Sequence, residues 1–332
     1  MTDDTRKDLP KIVILGTGGT IAGVGEPGKT TGYYAGGLDI DTLIRSIPQV
    51  RELARLEGEQ IVNVNSDDIT EQDWLTLAKR INTLAKYDDI TGFVITHGTD
   101  TLEETAFFLN LTVKTAKPVV ITGAMRPSTA ISPDGPFNLY QAVALASSKE
   151  AYGKGVLAVF SDAIYSARDV QKDSTFHVNA FSSNDFGCLG YMRDTVPYFY
   201  NALVKKHTRC TEFDVCGLTS LPKVGIAYFH VDADPAILSF MMDRCDGLVI
   251  AGAGNGEMSQ IWEEELRKLS ANGKPVVITS RIHDGIVTLH RAVPPTVFSG
   301  DTLNPHKARV MLMLALTKTN SIEEMRRMFM TY

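Results

Sequence analysis

No stretch of the sequence approaches the roughly 20 consecutive apolar residues that a membrane-spanning helix requires, so no span is predicted. Histidine is scarce, with seven in 332 residues, and no two stand at the i, i+3 or i+4 spacing of a metal or triad site. The four cysteines, Cys188, Cys210, Cys216 and Cys245, lack CxxC spacing, so reduced structural thiols are expected and no zinc centre. Positive charge is in deficit: 33 Lys and Arg against 39 Asp and Glu leave a net charge of −6, which argues against general affinity for nucleic acid. The densest basic cluster, Lys205, Lys206 and Arg209, reads as solvated surface. There is no GxSxG elbow, which counts against the common serine-hydrolase fold. Nor does the polar, acidic MTDDTRKDLP at the start contain the apolar core of a signal peptide. As written, the chain is expected to be cytoplasmic, or periplasmic if a signal peptide has been removed.

What is present is ordinary for a globular protein: 44% hydrophobic and 22% charged residues, in a length that favours two domains over one core. Strand and helix alternate. A first strand is predicted to open at Ile12 within the segment 12–20, with further strands near 60–64, 92–96, 118–122 and 156–160, and helices over 39–46, 70–86, 101–113 and 138–148. Residues 23–37, with glycine at 23, 25, 28, 32, 36 and 37, read as a mobile loop. From Thr175 to Pro222 the rhythm loosens. It resumes with strands at 223–228, 247–251 and 275–279, helices around 235–243 and 260–269, a helix opening at Asn304-Pro305, and a last one at Ser321, where Ser321-x-x-Glu324 predicts a capping box. The expected organisation is an α/β chain. A larger N-terminal catalytic domain (9–200) carries a mostly parallel mixed sheet flanked by helices, a linker spans 201–222, and a smaller C-terminal α/β domain (223–332) has a parallel sheet.

A pattern match to the phosphate-binding loop, Gly23-V-G-E-P-Gly28-Lys29-Thr30, is rejected, because TGYYAGG follows it where a helix must begin. The dinucleotide fingerprint fails as well, since Ile21 stands where its third glycine belongs. The informative segments are Ile12–Thr20, IVILGTGGT, and Phe93–Thr101, FVITHGTDT. Each is a buried-strand run that breaks into glycine and threonine, and so sets hydroxyls at the carboxyl edge of a sheet, where open α/β sheets bind ligands. A threonine hydroxyl is a weak nucleophile that needs a base for its proton and amides for the oxyanion. The amides of Gly18, Gly19 and Thr20 are available, and Tyr33 on the loop can approach Thr20. Thr20 could equally cap a turn, and Asp100 could be a simple N-cap. The pairing of two Gly-Thr edges favours one pocket holding Thr20, Thr99 and Asp100. Lys172 in RDVQK is added as the amine that, partly stripped of water beside Thr99, could accept its proton. His97 reads as a packed or turn-bonding residue.

With these residues in view, the chain resembles the bacterial L-asparaginase family, closest to its type II members, from about Leu9 to Tyr332. The likeness rests on GTGGTIAG at 16–23, ITHGTDTLEET at 95–105, KPVVITGAMRPSTAISPDGPFNLYQAV at 117–143 and LNPHKARVMLMLALTKT at 303–319. The resemblance implies hydrolysis of L-asparagine to aspartate and ammonia, with some glutaminase activity, no metal or organic cofactor, and a homotetramer of intimate dimers in which a neighbour's smaller domain completes each site. It implies Thr20 as the acylated nucleophile, Tyr33 as its partner, and Thr99, Asp100 and Lys172 as a second catalytic cluster. Acyl-enzyme formation and direct water attack both fit. For the substrate it implies Ser66 at the α-carboxylate, Asp100 at the α-ammonium, Ala124 holding the leaving amide through its backbone, and Gly98 and Asp67 beside them.

Three positions depart from the family pattern. Asp67 replaces the usual glutamine or glutamate after the serine, and Glu257 follows Gly254-Asn255-Gly256 where asparagine or serine is common. The segment SRIHDGIVTLHRAVPP at 280–295 lacks the donated glutamate, with Arg291 or Ala292 in its place, and Glu257 is expected to substitute for it. Two rival functions share these features: the amidase subunit of a tRNA-dependent amidotransferase, expected to carry a further N-terminal domain, and a non-enzymatic amino-acid-binding relative.

Overall fold

A computed structural model describes residues 8–289 and 292–332, which leaves Arg291 of the departing segment outside the described residues. The chain forms two compact units, one running to Gly217 and the other from Leu218 to Tyr332. The first contains β1 (Lys11–Gly18), α1 (Ile40–Arg45), α2 (Val50–Leu53), β2 (Arg55–Val64), α3 (Glu71–Leu84), β3 (Ile90–Thr96), α4 (Leu102–Thr112), β4 (Val119–Thr122), α5 (Gly135–Ser147) and β5 (Val156–Phe160). Five short strands follow: β6 (Ala163–Ser166), β7 (Gln171–Lys172), β8 (Phe181–Ser182), β9 (Gly190–Arg193) and β10 (Val196–Phe199).

Eight of these strands make one sheet in the order β10-β9-β6-β5-β4-β3-β1-β2. β1 to β5 are parallel, while β6, β9 and β10 add antiparallel at one edge. The fold is thus the expected mostly parallel mixed sheet with flanking helices. Burial explains the continuous apolar runs. Ile12, Ile14, Val94, Val120, Leu157 and Val159 share one core with Leu43 and Ile44 of α1 and Leu139 and Val143 of α5. The alternate residues Val13, Leu15, Phe93, Ile95 and Ile121 are as deeply buried, so both faces are covered. α3 starts at a capping box between Thr70 and Asp73, and its Trp74 stacks on Phe108 of α4 at 5.2 Å.

From β1 the chain crosses to β2 at the sheet edge, whereas β3 lies on β1's other side. The carboxyl ends of β1 and β3 therefore flank a topological switch point, where open sheets leave a crevice.

Several boundaries differ from the sequence expectation. β2 begins at Arg55 rather than Gln60, and α5 at Gly135 rather than Asn138, since Pro136 fits a helix's first turn, where no amide bond is lost. Part of the expected linker packs within the first unit. Phe213 and Val215 are buried, and Lys114 Nζ donates to Thr211 O at 2.9 Å and to Thr211 Oγ1 at 2.6 Å.

The second unit contains β11 (Val224–Tyr228), α6 (Ala236–Met242), β12 (Gly247–Gly252), α7 (Gln260–Leu269), β13 (Val276–Ser280), β14 (Val297–Ser299), α8 (Pro305–Leu316) and α9 (Ile322–Thr331). Its four strands are all parallel, in the order β11-β12-β13-β14. Trp262, Leu238, Leu248, Ile250 and Ile278 form its core. Asn304 caps α8, its Oδ1 accepting from Lys307 N at 3.0 Å. The capping box at Ser321 is only half made. Ser321 Oγ accepts from Glu324 N at 3.3 Å, but the Ser321 amide donates to Thr319 Oγ1 at 2.9 Å, and Glu324 Oε2 accepts from Arg327 Nε at 2.9 Å instead. No helix among the described residues is long and apolar enough to cross a membrane.

Candidate active site

β1 ends in a glycine pair, and Thr20 opens the one-turn 3-10 helix Thr20–Ala22 just beyond. A Cβ on Gly19 would sit 2.3 Å from both Gly98 Cα and Gly98 N, and Gly19 has φ of 81°. Only glycine allows this contact, which brings the turn bearing Thr20 against the end of β3. A Cβ on Gly98 would in turn meet Ser66 Cβ and Oγ at 2.8 Å. Gly98 thus works as a spacer, and lies buried between Gly19 and Ser66.

Thr20 is buried, and its Oγ1 lies 2.7 Å from the hydroxyl of Tyr33, a hydrogen bond in which either atom can donate. Tyr33 sits on the loop at 23–37, which holds no helix; bridges Val24↔Tyr34 and Gly28↔Ala130 pin it. The first helix after the apparent phosphate-loop motif is α1 at Ile40, so that motif lacks the helix it needs.

Past β3, buried Thr99 accepts a hydrogen bond from Lys172 Nζ at 2.8 Å, and the same nitrogen donates to Asp100 Oδ1 at 2.6 Å. The lysine side chain is 14% exposed and the aspartate 70%, so the pair orients the amine more than it stabilises the fold. Lys172 is carried by β7, which pairs antiparallel with β8 apart from the large sheet; Phe160 stacks on Phe181 of β8 at 4.2 Å and holds the hairpin to β5.

Ser66 is buried, its Oγ accepts from the Asp100 amide at 3.2 Å, and its carbonyl from Thr101 Oγ1 at 2.6 Å. Asp67 follows on the same 3-10 turn, Ser66–Asp68, and is exposed. Ala124 is fully buried, one residue behind Met125. Thr20, Tyr33, Thr99, Asp100 and Lys172 line a single cleft of ≈ 470 Å³. Residues unremarked in the sequence join them: Thr30 and Thr31 on the loop, Met125 and Arg126 after β4, and Thr175 and Phe176 after β7. None of these positions was given a role from the sequence: Thr30 figured only in the rejected phosphate-loop match, Met125 and Arg126 only inside the segment quoted at 117–143, and Thr31, Thr175 and Phe176 carried no motif.

His97 is buried behind the site. Because a carbonyl only accepts, Nδ1–H donates to Gly98 O at 2.7 Å, which leaves Nε2 to accept from the Thr105 hydroxyl at 2.9 Å. Trp74 Nε1 donates to the same hydroxyl oxygen at 2.8 Å. Burial pushes the imidazole down to about 4, so it is neutral at ordinary pH. Among the described residues no group of three or more His, Cys, Asp or Glu could hold a metal ion.

The family model Asparaginase, N-terminal, matches residues 11–204, and Glutaminase/Asparaginase C-terminal domain matches residues 223–329. The chain belongs to the asparaginase family. It is 47% identical to L-asparaginase 2 of Bacillus subtilis over 98% of this chain and 88% of that one. It is 44% identical to the glutaminase-asparaginase of Acinetobacter glutaminasificans over 97% and 99%. The crystal structure of a probable cytoplasmic L-asparaginase from Campylobacter jejuni matches with a TM-score of 0.94 at 49% identity, covering 97% of this chain and all of that one.

In the second unit Glu257, one of the three departing positions, is exposed in the turn after β12, its backbone bridged to Ala253 by hydrogen bonds of 2.6 and 2.8 Å. The segment after β13 is anchored to the same turn, since Asn255 Nδ2 donates to Thr288 O at 2.6 Å and Asn255 Oδ1 accepts from Thr288 N at 2.7 Å.

Proposed function

We propose that the chain hydrolyses the side-chain amide of L-asparagine to L-aspartate and ammonia through Thr20, with glutamine as a slower substrate. The observation that carries this reading is the double hydroxyl arrangement in one cleft, Thr20 with Tyr33 at 2.7 Å and Thr99 with Lys172 at 2.8 Å, in an asparaginase-family chain. Thr20 Oγ attacks the amide carbon, its proton passes through the Tyr33 hydroxyl to the departing nitrogen, and the C–N bond breaks to release ammonia. Water then attacks the acyl-threonine ester, giving one proton through Thr99 to the Lys172 amine; the C–O bond breaks, Thr20 Oγ takes its proton back from the newly formed carboxylic acid, and Lys172 passes its proton to solvent, which frees aspartate and restores both groups. Asp100 receives the substrate's α-ammonium, Ser66 with Asp67 and Gly98 its α-end, and the Ala124 backbone the leaving amide.

The reading extends to the whole molecule. The first unit is the catalytic domain, and the second completes a neighbouring subunit's site within a homotetramer, with Glu257 as its donated carboxylate. What supports assembly is apolar surface left exposed on the second unit, including Val231, Ile237 and Phe240. The compartment is taken as the cytoplasm, or the periplasm if a signal peptide has been removed.

The test is ammonia release from L-asparagine and L-glutamine by the protein and its Thr20→Ala variant. Turnover of asparagine that disappears in the variant is expected; binding of asparagine without ammonia release would support the non-enzymatic alternative and end the proposal.

A further inference from the structure

Asp134 stands at the N-cap of α5, the position where an aspartate normally accepts a hydrogen bond from the first turn of its own helix. It makes no such bond. Its carboxylate faces the segment after β4 instead, accepting from Met125 N through Oδ2 and from Arg126 N through Oδ1, both at 2.9 Å. Asn138, one turn into α5 and buried, donates to Asp134 Oδ2 at 3.1 Å and to Gly123 O at 3.0 Å. Between them these two side chains engage the main chain at residues 123, 125 and 126. They leave the amide and carbonyl of Ala124 without a hydrogen bond among the described residues, although Ala124 is fully buried. Buried backbone groups are nearly always satisfied, so the unpaired Ala124 peptide, next to cleft-lining Met125, is an exception.

The clamp also reaches the nucleophile. A Cβ on Gly135, the residue after Asp134, would lie 2.9 Å from Ile21 Cγ1 and 3.2 Å from Ala124 Cβ, so the start of α5 is wedged between the residue after Thr20 and Ala124. The peptide planes around Ala124 and the turn of Thr20 are referenced to one helix start. Met125 and Arg126, the residues whose amides Asp134 holds, line the cleft.

We propose that Asp134 is a positioning residue for the reaction. By spending its carboxylate on the amides of Met125 and Arg126 rather than on the first-turn amides of its own helix, it presets the Ala124 peptide to hold the departing carboxamide nitrogen in line with Thr20. The proposal rests on the asparagine-hydrolysis reading above. It differs from a role in stability because a group aligned only with the reacting amide affects turnover, whereas the α-end of the substrate is held elsewhere, at Ser66 and Asp100.

The experiment compares the wild-type protein with Asp134→Asn, in which one acceptor oxygen becomes a donor facing a backbone N–H, and with Asn138→Ser, which removes the brace and keeps Asp134. Three quantities are measured: kcat and KM for L-asparagine, and the dissociation constant of L-aspartate by calorimetry. Asp134→Asn is expected to lower kcat roughly tenfold to a hundredfold, the scale of a misaligned reacting group, with KM and aspartate affinity within about threefold of wild type. Asn138→Ser is expected to show the same pattern at smaller amplitude, and it carries the test if Asp134→Asn does not fold. Unchanged kcat, or a parallel loss of kcat and aspartate affinity, overturns the proposal. A wild-type protein that releases no ammonia defeats the functional reading instead, so the two failures are distinguishable.

Discussion

His97 should give this protein a measurable sensitivity to acid. Its ring is buried, both nitrogens are used in the chain from Trp74 through Thr105 to Gly98 O, and no charged neighbour offsets the burial that holds it at about 4. An unfolded histidine titrates near 6.5. The folded value is the lower one, so between the two it is the unfolded chain that takes up a proton. The stability contributed by neutral His97 is therefore complete above about pH 6.5 and is lost as the pH falls toward 4. At about 1.4 kcal/mol per pH unit, this single group costs roughly 2.5 kcal/mol between pH 7.5 and pH 4.5. Carboxylates titrate in the same range, so the comparison is with His97→Gln, which cannot take up the proton. Urea unfolding of both proteins at pH 7.5, 6.0, 5.0 and 4.5 gives two stability curves. The variant is expected to be the less stable at pH 7.5, having lost a satisfied buried ring, and its curve should be flatter on acidification by about that amount. Parallel curves would refute the argument, since they would mean that His97 binds its proton equally in the folded and unfolded chains.

Two further predictions concern turnover. Tyr33→Phe removes the hydroxyl 2.7 Å from Thr20 Oγ1 and should lower kcat for asparagine roughly a hundredfold with little change in KM; a KM-only effect would make Tyr33 a substrate contact rather than a proton carrier. Glu257→Gln should lower kcat/KM for asparagine by about ten- to a hundredfold, the loss of one charge-assisted contact to an ammonium, and an unchanged value would mean that the shortened segment at 280–295 has no substitute there.

The parallel core was legible because β1, β3, β4 and β5 are covered on both faces and read as unbroken apolar runs. The other elements of two to four residues were not. β6 to β10, α2 and β14 are too short to show a period, and β10 alternates exposed and half-buried positions with Pro197 inside it, which only an edge strand tolerates. The site was readable for a related reason: its threonines directly follow strands that the sequence announces. Lys172 had no such marker. Its position depends on a two-residue strand whose partner lies nine residues on, at Phe181, and sequence spacing alone does not specify that pairing. Asp134 was hidden differently, because aspartate before Gly-Pro at a helix start has a sufficient local explanation, and only the hydrogen bonds show that it is not the one in use.

β1 and β3 are adjacent parallel strands in register, Gly16 opposite Thr96, and the two threonine-bearing turns leave from their ends. The distance between the two turns is thereby governed by main-chain pairing, which holds neighbouring strands about 4.8 Å apart whatever side chains they carry. A sequence drifting through conservative core replacements would keep that spacing while its stability rose and fell. What it could not survive is a slip of β1 by one residue, which would turn Ile12 and Ile14 to the opposite face and carry Thr20 out of line with Thr99 in the same step. The chemistry of this chain is insured by its backbone against most substitutions and exposed to insertions or deletions of a single residue between Lys11 and Thr20.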